Sequence, residues 1–469
     1  KVASRIDTTW TYKSFNVKSI KDNNLAQLFY QSLSSDTGFR VLSCTIKVSG
    51  LTDGQGIEYV SNGTQQFVIM RIENDGIYHL PSFDFGAKNA YYGFRFLKLQ
   101  ESCNITIEQL PLYPGALVFD GVDDYGTCDN FPILTKEKGY TVVALRQWDQ
   151  DFLNTTLTGG LLSTRNYSTG EGVAFEKIES SNKGYWNLGA GGIIDFAKSP
   201  FTWQTSKQYN NVGILKGDKN HGKPLCVGCG LSGGQQCGRF AIWKLVFLDH
   251  DATEEELNKI KDYFVKTYPW LFPDQAWTVV GKTNEDEDRA TIANITGNGN
   301  DLVCLNLGFI EGSGYNEEGE YAGYLVTDGV DDKITSSTFE MGNDWTVIGD
   351  WELINTGKND NAGIVKFDSI VIYNYNPILI NIKNGRNNLI PDQNTVNAIC
   401  SDGRIYSKDW KESIYNEETE STSKNLLTIG YSGNSYTKIA FKNLAIYPTV
   451  LSKEDCIKAY NYLQTLKAK

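Results

Sequence analysis

Apolar and polar residues alternate along several short stretches at the start of the chain. The clearest are residues 40–48, 66–72, 92–97 and 104–108. Alternation with a period of two turns one set of side chains into a core and the other toward water, which is typical of half-buried β-strands. Asp-Gly and Asn-Asp-Gly turns separate these stretches. The pattern therefore predicts an antiparallel β-sandwich over residues 1–113.

A short segment then occurs twice in the chain. Residues 117–125 read Leu-Val-Phe-Asp-Gly-Val-Asp-Asp-Tyr, and residues 325–333 read Leu-Val-Thr-Asp-Gly-Val-Asp-Asp-Lys. Each copy predicts the end of one strand and its reversal through an Asp-Gly turn. The copies lie 328 − 120 = 208 positions apart, which indicates two domains of one kind.

The ends of the two units match as well. Residues 239–248 and 439–447 are apolar strands, and each precedes a helix-start signal. Thr253 with Glu256 predicts a capping box, and Ser452 with Asp455 predicts the corresponding N-cap. The packed helix faces are predicted to be Leu257, Ile260 and Phe264 in the first unit and Ile457, Tyr460 and Leu463 in the second. Since a strand at 140–144 also matches one at 345–349, the landmarks indicate an internal duplication.

These landmarks divide the chain into four parts. They are an N-terminal β-sandwich at 1–113, a first repeat at 114–269, a bridging module at 270–323 and a second repeat at 324–469. The bridging residues are too many for a plain linker, so we expect them to pack as an incomplete module or a structured bridge. Their acidic run at 284–288 is a solvated charge run or, as the alternative, a site for a hard cation.

The composition of the chain argues against some classes of binding partner. The formal net charge of −12 argues against nucleic acid, which would require clustered Lys and Arg. No apolar window is long enough to span a bilayer. The chain begins at Lys1 rather than Met, from which we expect a longer product. Nine cysteines, mostly far apart, favour free thiols in a protein made in a reducing compartment, with extracellular life as the alternative.

The duplicated unit resembles the concanavalin A-like, laminin-G-like family. The resemblance lies in residues 117–125, in Tyr-Thr-Val-Val-Ala at 140–144 and in the strand that runs into Ala-Thr-Glu-Glu-Glu at 252–256. It implies that each repeat is a jelly roll of two antiparallel sheets. The second copy departs from the pattern with Lys333 in place of Tyr125. The fold expected for the whole chain is therefore all-β, an N-terminal sandwich followed by two jelly rolls and their bridge.

A narrower resemblance points to a biological setting. Residues 102–109, 131–139 and 281–302 are similar to modules of large proteins from gut Bacteroidales and their crAss-like phages. This resemblance implies a tail or fibre component of a virion, with other virion proteins as partners and a homo-oligomeric state. An extracellular or bacterial cell-surface location is the alternative.

The residues for catalysis are sparse. A glycosidase on such a sheet would need two carboxylates about 5 to 10 Å apart beside the scissile bond. Asp350 and Glu352 fall on one face of a predicted strand, but charged positions on an exposed strand explain them better. The three histidines do not predict a Ser-His-Asp catalytic triad, and no phosphate-binding Gly-Lys-Ser/Thr run is present. We expect a non-enzymatic protein, with a degenerate glycoside hydrolase as an alternative.

Two groups of residues have the chemistry of metal ligands. The zinc-like group is His221, Cys226, Cys229 and Cys237. Because a second complete Cys pair is missing, free thiols are favoured, and zinc or a disulfide are the alternatives. The calcium-like groups are Asp120, Asp123 and Asp124 and their counterparts Asp328, Asp331 and Asp332. A structural role in the turns is favoured there, because Asp accepts backbone N–H bonds and Gly121 and Gly329 supply a positive φ; some family members bind calcium elsewhere on the rim.

Glycan recognition is the function that these domains favour. Aromatic rings stack on sugar faces while Asn and Asp bind hydroxyl groups. The candidate residues lie in polar, Gly-rich segments and are Tyr185, Trp186, Asn187, Trp203, Tyr406 and Trp410. Each is also a reasonable core aromatic or loop anchor. The predicted function is a non-enzymatic structural and adhesive protein of a phage tail that binds host surface polysaccharide, and a secreted or surface glycan-binding bacterial protein is the alternative.

Overall fold

A computed structural model describes most of the chain. The residues outside the description are 1–5, 11–13, 20–22, 32–39, 42–43, 63–65, 81–82, 85–90, 102, 112, 133–140, 150–151, 153–158, 165–173, 178–182, 187–192, 196–224, 232–234, 251, 298, 318–320, 355–361, 368–369, 375–377, 383–385, 391–395, 408–409, 415–425, 432–434 and 469. The chain forms two compact units, one of residues 1–114 and 405–413 and one of residues 115–404 and 414–469. The predicted all-β architecture is confirmed.

The first unit is built from short antiparallel strands. They are β1 (Ile6–Trp10), β2 (Ser14–Ser19), β3 (Asn23–Gln31), β4 (Arg40–Val41), β5 (Cys44–Ser49), β6 (Gly56–Asn62), β7 (Gln66–Ile72), β8 (Gly76–Leu80), β9 (Phe83–Asp84), β10 (Tyr91–Leu99) and β11 (Asn104–Leu110). One sheet has the order β1-β2-β11-β5-β8 and a second the order β3-β10-β6-β7, while β4 pairs with β9.

The core of this unit follows the alternation seen in the sequence. Ile46 and Val48 of β5 are buried together with Ile105 and Ile107 of β11, and Phe96 of β10 joins the same cluster. Lys47, between the two buried residues of β5, is exposed, whereas the polar side chains of Thr45 and Glu58 are buried. The Glu58 carboxylate is buried and pairs with both Arg71 and Arg95, so its charge is compensated. The predicted N-terminal sandwich is confirmed.

The second unit begins with one sandwich. Its strands are β12 (Leu117–Asp120), β13 (Gly126–Cys128), β14 (Thr141–Trp148), β15 (Gly159–Ser163), β16 (Ala174–Lys177), β17 (Lys183–Trp186), β18 (Ile193–Asp195), β19 (Leu225–Val227), β20 (Cys229–Leu231), β21 (Gln235–Cys237) and β22 (Arg239–Leu248). One sheet has the order β12-β22-β14, and the facing sheet has β13-β19-β15-β16-β17-β18 with β20 and β21 attached. Helix α1 (Glu254–Thr267) and the 3₁₀ turn Pro269–Leu271 follow.

A second sandwich completes this unit. Its strands are β23 (Gln275–Thr278), β24 (Thr291–Ile292), β25 (Leu302–Leu305), β26 (Gly314–Tyr315), β27 (Leu325–Val326), β28 (Lys333–Thr335), β29 (Thr346–Leu353), β30 (Ala362–Phe367), β31 (Ile370–Asn374), β32 (Ile378–Ile382), β33 (Arg386–Ile390), β34 (Val396–Cys400), β35 (Arg404–Ser407), β36 (Glu412–Ile414), β37 (Thr428–Ile429) and β38 (Ile439–Tyr447). One sheet contains β26-β27-β38-β29-β34, and the other has the order β24-β25-β28-β37-β30-β31-β32-β33. Helix α2 (Lys453–Leu463) follows β38.

The two sandwiches repeat the same contacts. In each, the C-terminal strand lies between the strand of the duplicated segment and the second strand after it, as β12-β22-β14 and as β27-β38-β29. The hydroxyl oxygen of Thr141 accepts a hydrogen bond from the amide of Ala252 at 2.8 Å, and that of Thr346 accepts one from the amide of Leu451 at 2.9 Å. These bonds attach the start of one strand to the start of each helix.

The helix caps agree with the sequence signals. Thr253 and Glu256 form the predicted capping box, and Ser452 accepts a hydrogen bond from the Asp455 amide at 3.1 Å. In α1 only Phe264 is fully buried, while Leu257 and Ile260 are half-buried. Of the predicted face of α2, Leu463 is buried, whereas Ile457 and Tyr460 are half-buried. The other buried residues of this helix are Cys456, Ala459, Asn461 and Tyr462. Neither described helix is long and apolar enough to cross a bilayer.

Residues 270–323 belong to the second sandwich. Strand β23 pairs with β38, and Gln275 lies opposite Ile446. Strand β25 pairs with β28 in the facing sheet, while β26 pairs with β27 along the edge. The sequence assigned these residues to a separate bridging module, because their strands are short and their partners lie far along the chain. In the structure they supply strands to both sheets.

Candidate functional site

The duplicated segment forms two acidic turns that are hydrogen-bonded within themselves. In the first acidic turn, residues 120–125, the carboxylate of Asp120 accepts a hydrogen bond from the Val122 amide at 2.7 Å. The Asp124 carboxylate accepts one from the Asp120 amide at 3.1 Å. Gly121 has a φ of 80°, and a Cβ there would lie 2.9 Å from the Arg239 Cβ. The hydrogen bonds that shape this turn are therefore made by its own side chains.

The second acidic turn, residues 328–333, has the same construction. The Asp328 carboxylate accepts from the Val330 amide at 2.7 Å, and the Asp332 Oδ2 accepts from the Asp328 amide at 2.8 Å. Gly329 has a φ of 78°, and a Cβ there would lie 2.9 Å from the Lys438 backbone nitrogen. The predicted structural role is confirmed for both glycines and for the first and last aspartate of each copy.

In each turn three carboxylates converge. One oxygen atom from each of Asp120, Asp123 and Asp124 lies within 4.8 Å of the others. The same limit of 4.8 Å holds for Asp328, Asp331 and Asp332. Carboxylate oxygens are the ligands that hard cations such as calcium prefer. The turns therefore have the donor atoms for such an ion in addition to their structural role.

The two turns differ in their surroundings. All three aspartates of the first acidic turn are exposed, whereas Asp332 of the second is 0% exposed. At the tips both copies present valine to solvent, with Val122 74% and Val330 71% exposed. The two turns therefore differ in the burial of their last aspartate and not in the exposure of the valine at the tip.

A loop covers the base of the second acidic turn. The Asn306 side-chain amide donates to the Asp331 carbonyl at 3.0 Å, and the Ser313 hydroxyl donates to Asp332 Oδ2 at 2.7 Å. Strand β26 continues from this loop and pairs with β27, so that Leu325 and Val326 are buried. Burial raises the pKa of the Asp332 carboxyl above its ordinary value.

No described strand covers the equivalent edge of the first sandwich. Strand β12 pairs only with β22 among the described strands. Its Leu117 and Val118, the counterparts of Leu325 and Val326, are exposed. Tyr125, directly after Asp124, is 48% exposed. The first acidic turn therefore combines an accessible aromatic ring, accessible apolar side chains and three accessible carboxylates.

A buried cysteine cluster lies next to the first acidic turn. Cys226 and Cys229 form a disulfide, and Cys237 lies opposite Cys229 in the β20–β21 pair. All three are buried together. Gly228, between the bonded cysteines, packs so closely that a Cβ there would lie 2.4 Å from the Phe119 ring and 2.7 Å from the Asp124 carbonyl oxygen.

This disulfide corrects the prediction for the Cys-x-x-Cys segment. The sequence favoured free thiols and left zinc or a disulfide as alternatives, and the structure has the disulfide. A tetrahedral zinc site would require these two cysteines as thiolates. His221 lies outside the described residues. Burial raises the pKa of the Cys237 thiol, and the carboxylates of the first acidic turn raise it further. Both effects keep Cys237 protonated.

The predicted aromatic candidates do not form one site among the described residues. Tyr406 and Trp410 are 0% and 4% exposed, with ring centroids 6.1 Å apart, so neither ring offers a face to a sugar. They are core aromatics, which was the other interpretation of the sequence. Tyr185 and Trp186 belong to β17, but their side chains lie outside the description, as do Asn187 and Trp203.

Sequence reasoning missed Tyr125 as a binding candidate. The residue was visible only as the last position of the repeated segment and as the position where the second copy has Lys333. A residue that differs between two otherwise matched motifs is free of the constraint that the fold places on the others. That difference was the available signal.

Of the two carboxylates on β29, Asp350 makes internal contacts, while Glu352 is half-buried. Asp350 is buried, and it accepts hydrogen bonds from the Tyr324 hydroxyl at 3.0 Å and from the Gln464 side chain at 3.1 Å. The ammonium of Lys442 lies 3.8 Å from the same carboxylate. Burial places Asp350 away from any substrate in solution, and its partners explain why a carboxylate occurs there.

Comparisons with known proteins give weak structural similarities alone. No protein-family model matches the chain, and no curated protein matches it. Among solved structures, the binding domain of Paraclostridial Mosquitocidal Protein 1 has 13% identity and a TM-score of 0.25 over 40% of this chain and 51% of that one. The chain thus spans about half the length of that domain.

Two further structures align over longer stretches. The botulinum neurotoxin serotype D binding domain has 11% identity and a TM-score of 0.27, covering 70% of this chain and 87% of that one. Trypanosoma rangeli sialidase, solved with sialic acid, has 7% identity and a TM-score of 0.30, covering 99% of this chain and 84% of that one. The fold assignment rests on the strand topology described above.

Proposed function

We propose that the protein is a non-enzymatic adhesive protein that binds surface glycans, with the first acidic turn as its contact point. The observation that carries the proposal is the exposed Tyr125 beside three exposed carboxylates on a turn that is hydrogen-bonded within itself. A tyrosine ring stacks on the apolar face of a sugar, and carboxylates accept hydrogen bonds from its hydroxyl groups. These hydrogen bonds within the turn mean that little ordering is needed when a ligand binds.

The lack of a catalytic role is part of the proposal. Hydrolysis of a glycosidic bond needs two carboxylates that both reach the substrate. Asp350, the one acid that the sequence paired with a neighbour on a strand, is buried and hydrogen-bonded to Tyr324 and Gln464. We expect no release of reducing sugar from a bound glycan. Release that disappears in Glu352→Gln would instead establish a hydrolase.

We place this adhesive role in a virion, as a tail or fibre component. The support is the resemblance of three sequence segments to modules of phages of gut Bacteroidales. Mass spectrometry of purified virions should then detect the chain among the structural proteins, together with its oligomeric partners. Its recovery from the bacterial surface without virions would favour a bacterial glycan-binding protein.

Glycan binding itself is tested with the intact chain on an array that includes host surface polysaccharides. For a glycan that binds, Tyr125→Ala should weaken affinity roughly two- to twelvefold, the range that an aromatic contact contributes. Asp123→Asn should weaken it as well, because Asp123 is exposed and accepts from no other described group in the turn. Tyr263, which is 51% exposed on α1, provides the control variant Tyr263→Ala.

Two results would contradict the proposal. The first is an array on which the intact chain binds no glycan. The second is an equal loss of affinity in Tyr125→Ala and Tyr263→Ala, which would place the ligand elsewhere or show a general effect on folding. Circular dichroism of each variant separates these last two cases.

A further inference from the structure

We propose that the second acidic turn is a calcium site, formed by Asp328, Asp331 and Asp332, and that the first acidic turn is not. The site takes a hard divalent cation and is independent of glycan binding. The two turns have the same five residues Asp-Gly-Val-Asp-Asp. What distinguishes them is the environment of the last aspartate.

Asp332 leaves one oxygen atom without a partner. Its Oδ2 accepts hydrogen bonds from the Ser313 hydroxyl and the Asp328 amide. Its Oδ1 is buried and has no hydrogen-bond partner among the described residues. A buried carboxylate oxygen without a donor is costly, because it loses the water that would solvate it and gains nothing in return. A cation bound to this oxygen would restore the lost interaction.

No side-chain cation in the described part of the chain compensates these charges. The ion pairs there include none with Asp328, Asp331 or Asp332. Lys333, the nearest lysine in sequence, has its ammonium over the Tyr431 ring at 5.2 Å from the centroid. Three carboxylate oxygens within 4.8 Å of one another repel unless protonated or bridged by a cation. Calcium suits them because it accepts six to eight oxygen ligands in a flexible geometry, water included.

The loop that contains Asn306 and Ser313 distinguishes the second acidic turn from the first. Ser313 and Asn306 hold the carboxylate of Asp332 and the backbone at Asp331, so this part of the site is ordered before an ion arrives. In the first turn Asp120, Asp123 and Asp124 are all exposed. Water solvates those carboxylates, and an ion must displace it to bind. The same motif is therefore a site in one copy and a solvated turn in the other.

The experiment is a calorimetric titration of the intact chain with calcium chloride, after chelating resin has removed divalent ions. Titration runs to about 10 mM, above the roughly 10⁻³ M dissociation constants of weak extracellular calcium modules. We expect one ion per chain. Asp331→Asn should weaken binding about tenfold or more, since affinity follows the number of charged ligands. Asp123→Asn, the matched change in the first turn, should leave calcium binding unchanged.

The choice of Asp331 keeps the test independent of folding. Asp331 is exposed, and its side chain accepts none of the hydrogen bonds that shape the turn. Asp332→Asn is the second variant, because its amide oxygen still accepts from the Asp328 amide while one ligand charge is lost. Far-UV circular dichroism of both should match the unaltered chain.

Three outcomes would overturn the calcium site. They are no heat of binding over the whole titration, two ions per chain, and an equal effect of Asp123→Asn and Asp331→Asn. The glycan proposal fails separately, because its readout is affinity for sugar and its variants lie in the first turn. Weaker calcium binding by Asp331→Asn, with its glycan affinity unchanged, supports the two proposals independently.

Discussion

The hydroxyl of Tyr462 donates a 3.0 Å hydrogen bond to Oε1 of Gln147, a residue 315 positions earlier in the chain. Both side chains are buried. The Tyr462 ring also meets Trp243 and Trp270 edge-on, with centroids 6.0 and 5.8 Å away. Since Gln147 and Trp243 belong to the first sandwich and Tyr462 to the helix after the second, this contact joins the two repeats into one unit.

Tyr462→Phe should destabilise the second unit. The change keeps the ring contacts but leaves the buried Oε1 of Gln147 without this donor, at a cost of about 1 to 3 kcal/mol. Differential scanning calorimetry should record a lower melting temperature. Tyr263→Phe, an exposed tyrosine on the other helix, is the control and should leave the transition in place. Equal melting curves for both variants would show that the hydroxyl of Tyr462 contributes nothing to the contact.

Gly329→Ala should be more destabilising than Gly323→Ala. Both glycines have a positive φ, 78° and 81°, so each alanine incurs the left-handed cost of about 1 to 2 kcal/mol. Only at Gly329 would the new Cβ meet backbone, 2.9 Å from the Lys438 nitrogen, whereas nothing lies within 4 Å at Gly323. Thermal denaturation of the two variants measures the difference. The packing of the turn against Lys438 would be refuted by equal losses.

His250 should titrate above its ordinary range. Hydrogen bonds to Asp249 and to Glu256 raise its pKa. Hydrogen bonds from the Thr253 backbone and hydroxyl, and then from His250, lower the pKa of Glu256 to about 2 from an ordinary 4.5. The stabilisation from His250 is therefore complete below the unfolded pKa and is lost as pH rises through the folded one. That from Glu256 is present above about 4.5 and is lost as pH falls toward 2.

Nuclear magnetic resonance of the imidazole signals tests this titration. The His250 signal, assigned by its loss in His250→Gln, should show a pKa above 6.5. In Glu256→Gln the pKa should move back toward that value, because one acceptor loses its charge. An unchanged pKa in this variant would mean that Asp249 alone accounts for the shift.

The cysteines should react in three stages. Cys128 is an exposed thiol, so iodoacetamide should modify it in the native protein. Cys237 should react only after unfolding, because it is buried and its pKa is raised. Cys226 and Cys229 should react only after unfolding and reduction. Peptide mass spectrometry reads all three stages, and labelling of Cys226 before reduction would disprove the disulfide.

Features with local causes could be predicted from the sequence. Thr253 and Glu256 are three residues apart, and the turn at Asp328 is shaped by its own neighbours. A signal of that kind is fully contained in a short window, whatever the rest of the chain does. The duplication could be recognised for the same reason, since both copies retain these local signals.

Features that depend on residues far away in the chain could not be predicted from the sequence. The position of β23 follows from a pairing of Gln275 with Ile446, which no local pattern encodes. Asp124 and Asp332 end identical pentapeptides, and their different burial comes from Ser313 and its loop, 19 residues before Asp332. The Cys-x-x-Cys spacing fits thiols, zinc or a disulfide, and the choice depends on how the surrounding hairpin folds.

The position of β38 has a consequence for synthesis of the protein. This strand pairs with β23, β27 and β29, and the Gln275 pairing spans 446 − 275 = 171 residues. At 5 to 20 residues per second, a ribosome needs roughly 9 to 34 s to reach the partner. During that time the nascent second sandwich has unpaired strand edges, which are prone to aggregation. The first sandwich, whose β12 and β22 are already made, can fold earlier and keep that half of the chain out of such contacts.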